Sequence, residues 1–99
     1  MTHYKNIKNT EDYIKNIILS EIDSSIYKVF LFGSRTNQTQ TTHSDWDIGI
    51  LGDEKLVFKK ILKLKNIFTE TPFRVDIIDF KNADENFKRL SLENSIAWN

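Results

Sequence analysis

Five residues of this 99-residue chain have the types and spacing that phosphate chemistry needs: Gly33, Ser34, Asp45, Asp47 and Asp76. Gly33-Ser34 ends the apolar run Tyr27 to Phe32 (YKVFLF). A glycine there lets the backbone come close to a ligand, successive amides in such a turn form a concavity for phosphate oxygens, and serine adds a hydroxyl donor. Taken alone, a Gly-Ser after a strand most often just turns the chain. Asp45 and Asp47 flank Trp46 in the alternating segment DWDIGIL. Side chains alternate along a strand, so an Asp-x-Asp pair aims two carboxylates at one small volume. They repel unless a cation lies between them or one stays protonated. All-oxygen ligation of this kind favours Mg²⁺, which completes its shell with water and triphosphate oxygens. A lone Asp-x-Asp is more often a solvated strand edge; here Trp46, Ile48 and Ile50 should bury the opposite face and so fix where the acids point.

The segment RVDIIDF supplies two more acids, Asp76 and Asp79. They differ in parity, so only one can share the face of the first pair. Asp76 stands among Val75, Ile77 and Ile78, where a carboxylate is costly unless paired, and is expected as the third ligand. Asp79 is expected to be structural. Three carboxylates beside a phosphate-binding turn suit nucleotidyl transfer, which needs cations to neutralise a triphosphate and to stabilise the attacking and leaving oxygens. On this reading Asp45 and Asp47 hold the metal that binds the triphosphate. Asp76 helps to hold a second metal or takes the proton of the acceptor hydroxyl. Gly33 and Ser34 hold the β and γ phosphates so that the α phosphorus faces the acceptor.

These residues need a scaffold. Thr10, followed by Glu11 and Asp12, reads as a capped helix start, with Tyr13, Ile14, Ile17, Ile18 and Ile22 forming one buried face. Tyr27 to Phe32 suits a strand covered on both sides. The polar stretch Thr36 to Ser44 has room for a short helix. Asp45 to Leu51 is the second strand, and Lys55 to Phe68 an amphipathic helix burying Leu56, Phe58, Ile61, Leu62, the stem of Lys65 and Phe68. Arg74 to Phe80 is the third strand, and Asn82 to Asn94 a last helix. The order α-β-α-β-α-β-α gives an α/β (α+β) fold, a single domain over residues 1–99 with a small mixed sheet of three strands or slightly more, flanked by helices.

Composition bounds the reading. Hydrophobic residues at 39% and aromatics at 12% suffice for a core, while 28% charged residues with zero net charge argue against a dedicated nucleic-acid binder. The absence of cysteine excludes disulfides and thiolate metal sites. No apolar run is long enough for a signal sequence or a membrane span, so a cytoplasmic protein is expected. Other candidates carry weaker expectations. Arg35 is expected near the γ phosphate, at a partner, or in a surface or structural ion pair, and Arg74 near phosphate, at a partner, or simply at a strand end. His43, in a polar loop, has nothing to fix its ring. The lysines at 55, 59, 60, 63 and 65 read as a solvated helix face. Trp46 is expected in the core, and Trp98 with Ile96 at an edge or partner contact.

Gly33-Ser34, ten intervening residues, Asp45-x-Asp47 and a later Asp76 resemble the signature of the DNA polymerase β-like nucleotidyltransferase superfamily. The segments GSR…SDWDIGI and FRVDIIDF look most like its minimal nucleotidyltransferase (MNT) group, and the likeness runs over nearly the whole chain. The resemblance implies a mixed sheet flanked by helices, Mg²⁺ as cofactor and ATP as substrate. It also implies an antitoxin that transfers AMP to a tyrosine of a HEPN-type ribonuclease toxin encoded nearby. The chain departs from the family pattern at Asn37, Gln38, Thr39 and Gln40, which motivates an alternative: neutralisation of the partner by contact alone. A further alternative is the nucleotide-binding subunit of a two-chain small-molecule transferase. A site open on one side also makes homo- or hetero-oligomers an expectation.

Overall fold

The computed structural model describes residues 7–33, 45–54 and 58–99, and the side chains of these from Thr10 onward. Helix α1 (Ile7–Glu21) leads to β1 (Tyr27–Phe32) and β2 (Trp46–Gly52). Helix α2 (Phe58–Thr69), β3 (Val75–Asp79), a 3₁₀ turn (Phe80–Asn82), α3 (Glu85–Glu93) and β4 (Ile96–Ala97) follow. The sheet order is β3-β2-β1-β4, with β1 antiparallel to both β2 and β4 and β2 parallel to β3. A parallel pair needs a crossover, and α2 supplies it. The expected mixed sheet is present, with a fourth strand that two residues are too few to announce.

Both faces of the sheet are covered. On one, Val29, Leu31, Trp46, Ile48, Ile50 and Ile77 pack with Ile14, Ile18 and Ile22 of α1 and Leu64 and Phe68 of α2. Burying each such side chain stabilises the fold by about 1.5–3 kcal/mol. On the other face Phe30, Phe32 and Phe80 form a second cluster, with Leu51, Ile78 and Ala83 against it. The apolar run of β1 serves both faces, which is why it does not alternate. Gly49 makes room for this aromatic cluster: a Cβ there would lie 2.5 Å from Phe30 Cε2 and 3.1 Å from Phe80 Cε1.

Three expected features differ. Thr10 is no cap; it lies inside α1, buried at 5% exposure, on one stripe with Ile14, Ile18 and Ile22 at four-residue steps. The buried stripe of α2 runs through Ile61, Leu64 and Phe68, leaving Phe58 (68% exposed) and Leu62 (43%) outside. The reason is that apolar residues wrap more than one face of this helix, so their period does not fix its rotation. Residues 82–94 are also not one helix: Asp84 caps α3, its Oδ2 accepting from the amides of Asn86 and Phe87 at 3.0 and 3.2 Å. Lys55 and Leu56 lie outside the described residues, as does the segment Thr36 to Ser44.

Trp98 is core. It is 5% exposed, its amide donates to the Val29 carbonyl at 2.8 Å, and its indole Nε1 donates to Glu11 Oε2 at 3.1 Å. Asn99 continues the attachment, accepting from the Val29 amide and donating to the Tyr27 carbonyl. Lys60 and Lys63 both reach Glu21, at 3.3 and 3.0 Å, joining α2 to α1. Among the described residues no helix is long and apolar enough to cross a membrane.

Candidate active site

One end of the sheet gathers the candidate residues, because β1 finishes there and β2 and β3 both begin there. Gly33 follows the last residue of β1 and has φ of +79°, a conformation in which an L side chain is strained. Space forbids a side chain as well. A Cβ built on Gly33 would overlap the Oδ2 oxygen of Asp47 and lie 3.1 Å from its Cγ. The turn therefore lies directly against the Asp47 carboxylate. Ser34 and Arg35 lie outside the described residues, as does His43.

Asp47 occupies the second position of β2, opposite Phe32 of β1 and beside Asp76 of β3 in the parallel register. Directly paired residues share a face, so the Asp47 and Asp76 carboxylates project to the same side, that of the aromatic cluster. Asp47 is half-buried, and its carboxyl is held above the ordinary carboxylate range. Burial is the main cause, followed by the charge of Asp76 and then that of Asp45. Asp76 and Asp45 thus both act on Asp47 at this end of the sheet.

Asp45 stands just before β2 and is exposed; its Oδ1 pairs with Arg74 Nε at 3.4 Å. The Trp46 amide donates to the Arg74 carbonyl at 2.8 Å, so the two strand beginnings are tied by main chain and side chain together. Asp76 is exposed, contrary to the expectation of a carboxylate enclosed by its apolar neighbours. The reason is topological: β3 is an edge strand, and only Ile77 of its five residues is fully buried. Asp79 has the opposite parity, and its Oδ1 accepts from the Lys81 amide at 3.1 Å to cap the 3₁₀ turn.

Among the described residues no three His, Asp or Glu side chains form a ready-made metal cage. The donor set nevertheless fits a divalent cation. Burial and then the neighbouring charges of Asp76 and Asp45 raise Asp47, a penalty that a cation beside these carboxylates would relieve, and Mg²⁺ typically takes one or two protein carboxylates, leaving the rest of its shell to water and phosphate. Two contributors escaped the sequence reading. The pairing of Arg74 with Asp45 joins residues 29 positions apart with no local signal. The floor of Phe30, Phe32 and Phe80 was visible only as part of a generally apolar run.

Comparison with known proteins gives the same reading. Residues 8–97 match the family described as "Polymerase beta, Nucleotidyltransferase". A Haemophilus influenzae protein named "Probable protein adenylyltransferase MntA" is 35% identical over 86 residues, which span 85% of this chain and 75% of that protein. In three dimensions the chain superposes with a TM-score of 0.72 and 22% identity on a toxin–antitoxin structure with AMP-PNP, over 89% of this chain and 71% of that one. It also superposes, with a TM-score of 0.64 and 17% identity over 89% and 71% of the two chains, on a structure of a tri-AMPylated Shewanella oneidensis HEPN toxin in complex with MNT antitoxin. At these identities the structural likeness speaks for the fold. The family match over most of the chain and the similarity to MntA speak for ancestry: the chain is a nucleotidyltransferase, a member of the polymerase β-like superfamily in its minimal, MNT group.

Proposed function

We propose that the chain transfers AMP from ATP to a tyrosine hydroxyl of a HEPN-type toxin and so acts as its antitoxin. The observation that carries the reading is the register pairing of Asp47 with Asp76 beside the turn at Gly33. Gly33 and the residues after it take the β and γ phosphates, with Arg35 near the γ phosphate. Asp47, together with Asp45 or Asp76, would hold Mg²⁺, which when bound supplies neutralisation of the triphosphate. Asp76, exposed on the edge strand, is open to an incoming acceptor, and takes the proton from its hydroxyl. The acceptor oxygen then bonds to the α phosphorus, the bond from that phosphorus to the bridging oxygen breaks, and pyrophosphate leaves. The similarity to MntA and the fold shared with HEPN–MNT complexes support both the donor and the partner.

Incubating the chain with Mg²⁺, ATP labelled at the α phosphate and the HEPN protein encoded beside its gene tests this. Label should appear on the partner and disappear with Asp47→Asn. Failure to label a partner that it binds would overturn the proposal.

A second reading, neutralisation by contact alone, is motivated by the departure from the family pattern at Asn37, Gln38, Thr39 and Gln40. The double variant Asp45→Asn, Asp47→Asn separates the two, since contact-only neutralisation survives it.

A further inference from the structure

The aromatic cluster beneath the carboxylates extends to the surface through one ring. Phe87 of α3 meets Phe32 at 5.9 Å between centroids with planes at 85°, and Phe80 at 5.9 Å with planes at 66°. Phe32 is the β1 residue opposite Asp47 and immediately precedes Gly33. Phe87 is therefore one ring away from the Asp47 carboxylate, on the same face of the sheet. Its inner neighbours are closed in: Phe32 is 6% exposed and Phe80 fully buried, whereas Phe87 is 41% exposed. Leu90, one helical turn further on, is 57% exposed. After α3 the chain places Ile96 opposite Leu31 of β1.

Lys88 pairs with Glu85 at 3.2 Å and Arg89 with Glu93 at 3.2 Å, each within the helix. What faces outward next to Phe32, the register partner of Asp47, is an anchored aromatic ring with an aliphatic neighbour one helical turn on, a surface that suits the flat, apolar face of a nucleobase. Resting on the nucleotide-transfer reading above, we propose that Phe87, supported by Leu90, is the platform on which the nucleobase of the triphosphate stacks. The carboxylates and the Gly33 turn address the phosphates; Phe87 addresses the other end of the same molecule. Because stacking accepts any π face, the platform favours large bases over small ones without reading their edges.

Calorimetric titration of the full chain with ATP and with inorganic tripolyphosphate, both with Mg²⁺, separates the two ends. Wild type should bind ATP more tightly than tripolyphosphate. Phe87→Ala should weaken ATP by about tenfold and leave tripolyphosphate unchanged. Phe87→Trp preserves the packing and adds a reporter: its extra emission should be quenched by ATP and indifferent to tripolyphosphate. This variant carries the test by itself if Phe87→Ala does not fold. Unchanged ATP affinity in Phe87→Ala, or Phe87→Trp emission that ignores ATP while calorimetry shows it bound, overturns the proposal. Wild type that binds neither compound overturns the nucleotide reading itself, and the platform with it.

Discussion

The carboxylate of Asp47 occupies the space that a side chain on Gly33 would need. Turn and acid are therefore one unit, in which the residue after β1 is glycine because both its +79° φ and its neighbour demand it. Gly33→Ala should cost about 1–2 kcal/mol of stability through the left-handed backbone alone. Displacement of Asp47 should cost more in function, lowering AMP transfer by about a hundredfold while the protein stays folded. Thermal melts alongside the transfer assay check both; an Ala variant with wild-type transfer would contradict the contact.

Asp47 and Asp76 are register partners, and their repulsion, added to burial, raises the Asp47 carboxyl. Between the unfolded carboxylate value, about 4, and this raised value, the folded protein holds the extra proton. Asp47 therefore costs the metal-free protein stability as pH rises through that window, and the cost persists at neutral pH. Asp47→Asn should melt higher than wild type at neutral pH without metal, with the gap closing as pH falls toward about 4. The comparison must be between the two proteins, because Glu21, lowered chiefly by its bond to Lys63, and Asp23, lowered by Ser25, drive the total in the other direction. A lower melting temperature for Asp47→Asn would contradict the electrostatics.

The same variant should lose AMP transfer by roughly a hundredfold or more. Stability gained where activity is lost marks a group kept for chemistry. Mg²⁺ should raise the melting temperature of wild type and leave that of Asp47→Asn nearly unchanged, a difference read directly in parallel melts.

Gly49 tests the aromatic floor. Gly49→Ala puts a methyl group 2.5 Å from Phe30 Cε2 and 3.1 Å from Phe80 Cε1. Overpacking of this kind costs about 1–3 kcal/mol. Because Gly49 sits two residues beyond Asp47, transfer should fall along with stability, as denaturant titration and the labelling assay would show.

Trp98 tests how firmly the C-terminal strand is held. Trp98→Ala should cost about 3–5 kcal/mol, since it empties a core position and strips Glu11 of its indole donor. Trp98→Phe should cost less, and urea midpoints for the two variants rank them.

Much of this architecture is legible in the residues. DWDIGIL alternates because β2 is an interior strand with a deep core on one side, so Trp46, Ile48 and Ile50 declare where Asp47 points. Parity alone separates Asp76, which lies beside Asp47, from Asp79, which caps a turn. What escapes is what depends on distant chain. The exposure of Asp76 follows from the edge position of β3, which no local pattern records. The rotation of α2 is set by what it packs on, so Leu64 is buried and Leu62 is not. β4 is two residues long, and Ile96 shows itself as a strand only because Leu31 lies opposite.

On the proposed function, Asp47, together with Asp45 or Asp76, would hold a divalent cation beside the Gly33 turn. Anomalous scattering from crystals grown with Mn²⁺ and a non-hydrolysable ATP analogue tests it most directly. The predicted result is a manganese peak at the Asp47 carboxylate, absent in Asp47→Asn. A peak elsewhere, or the same peak in the variant, would contradict it.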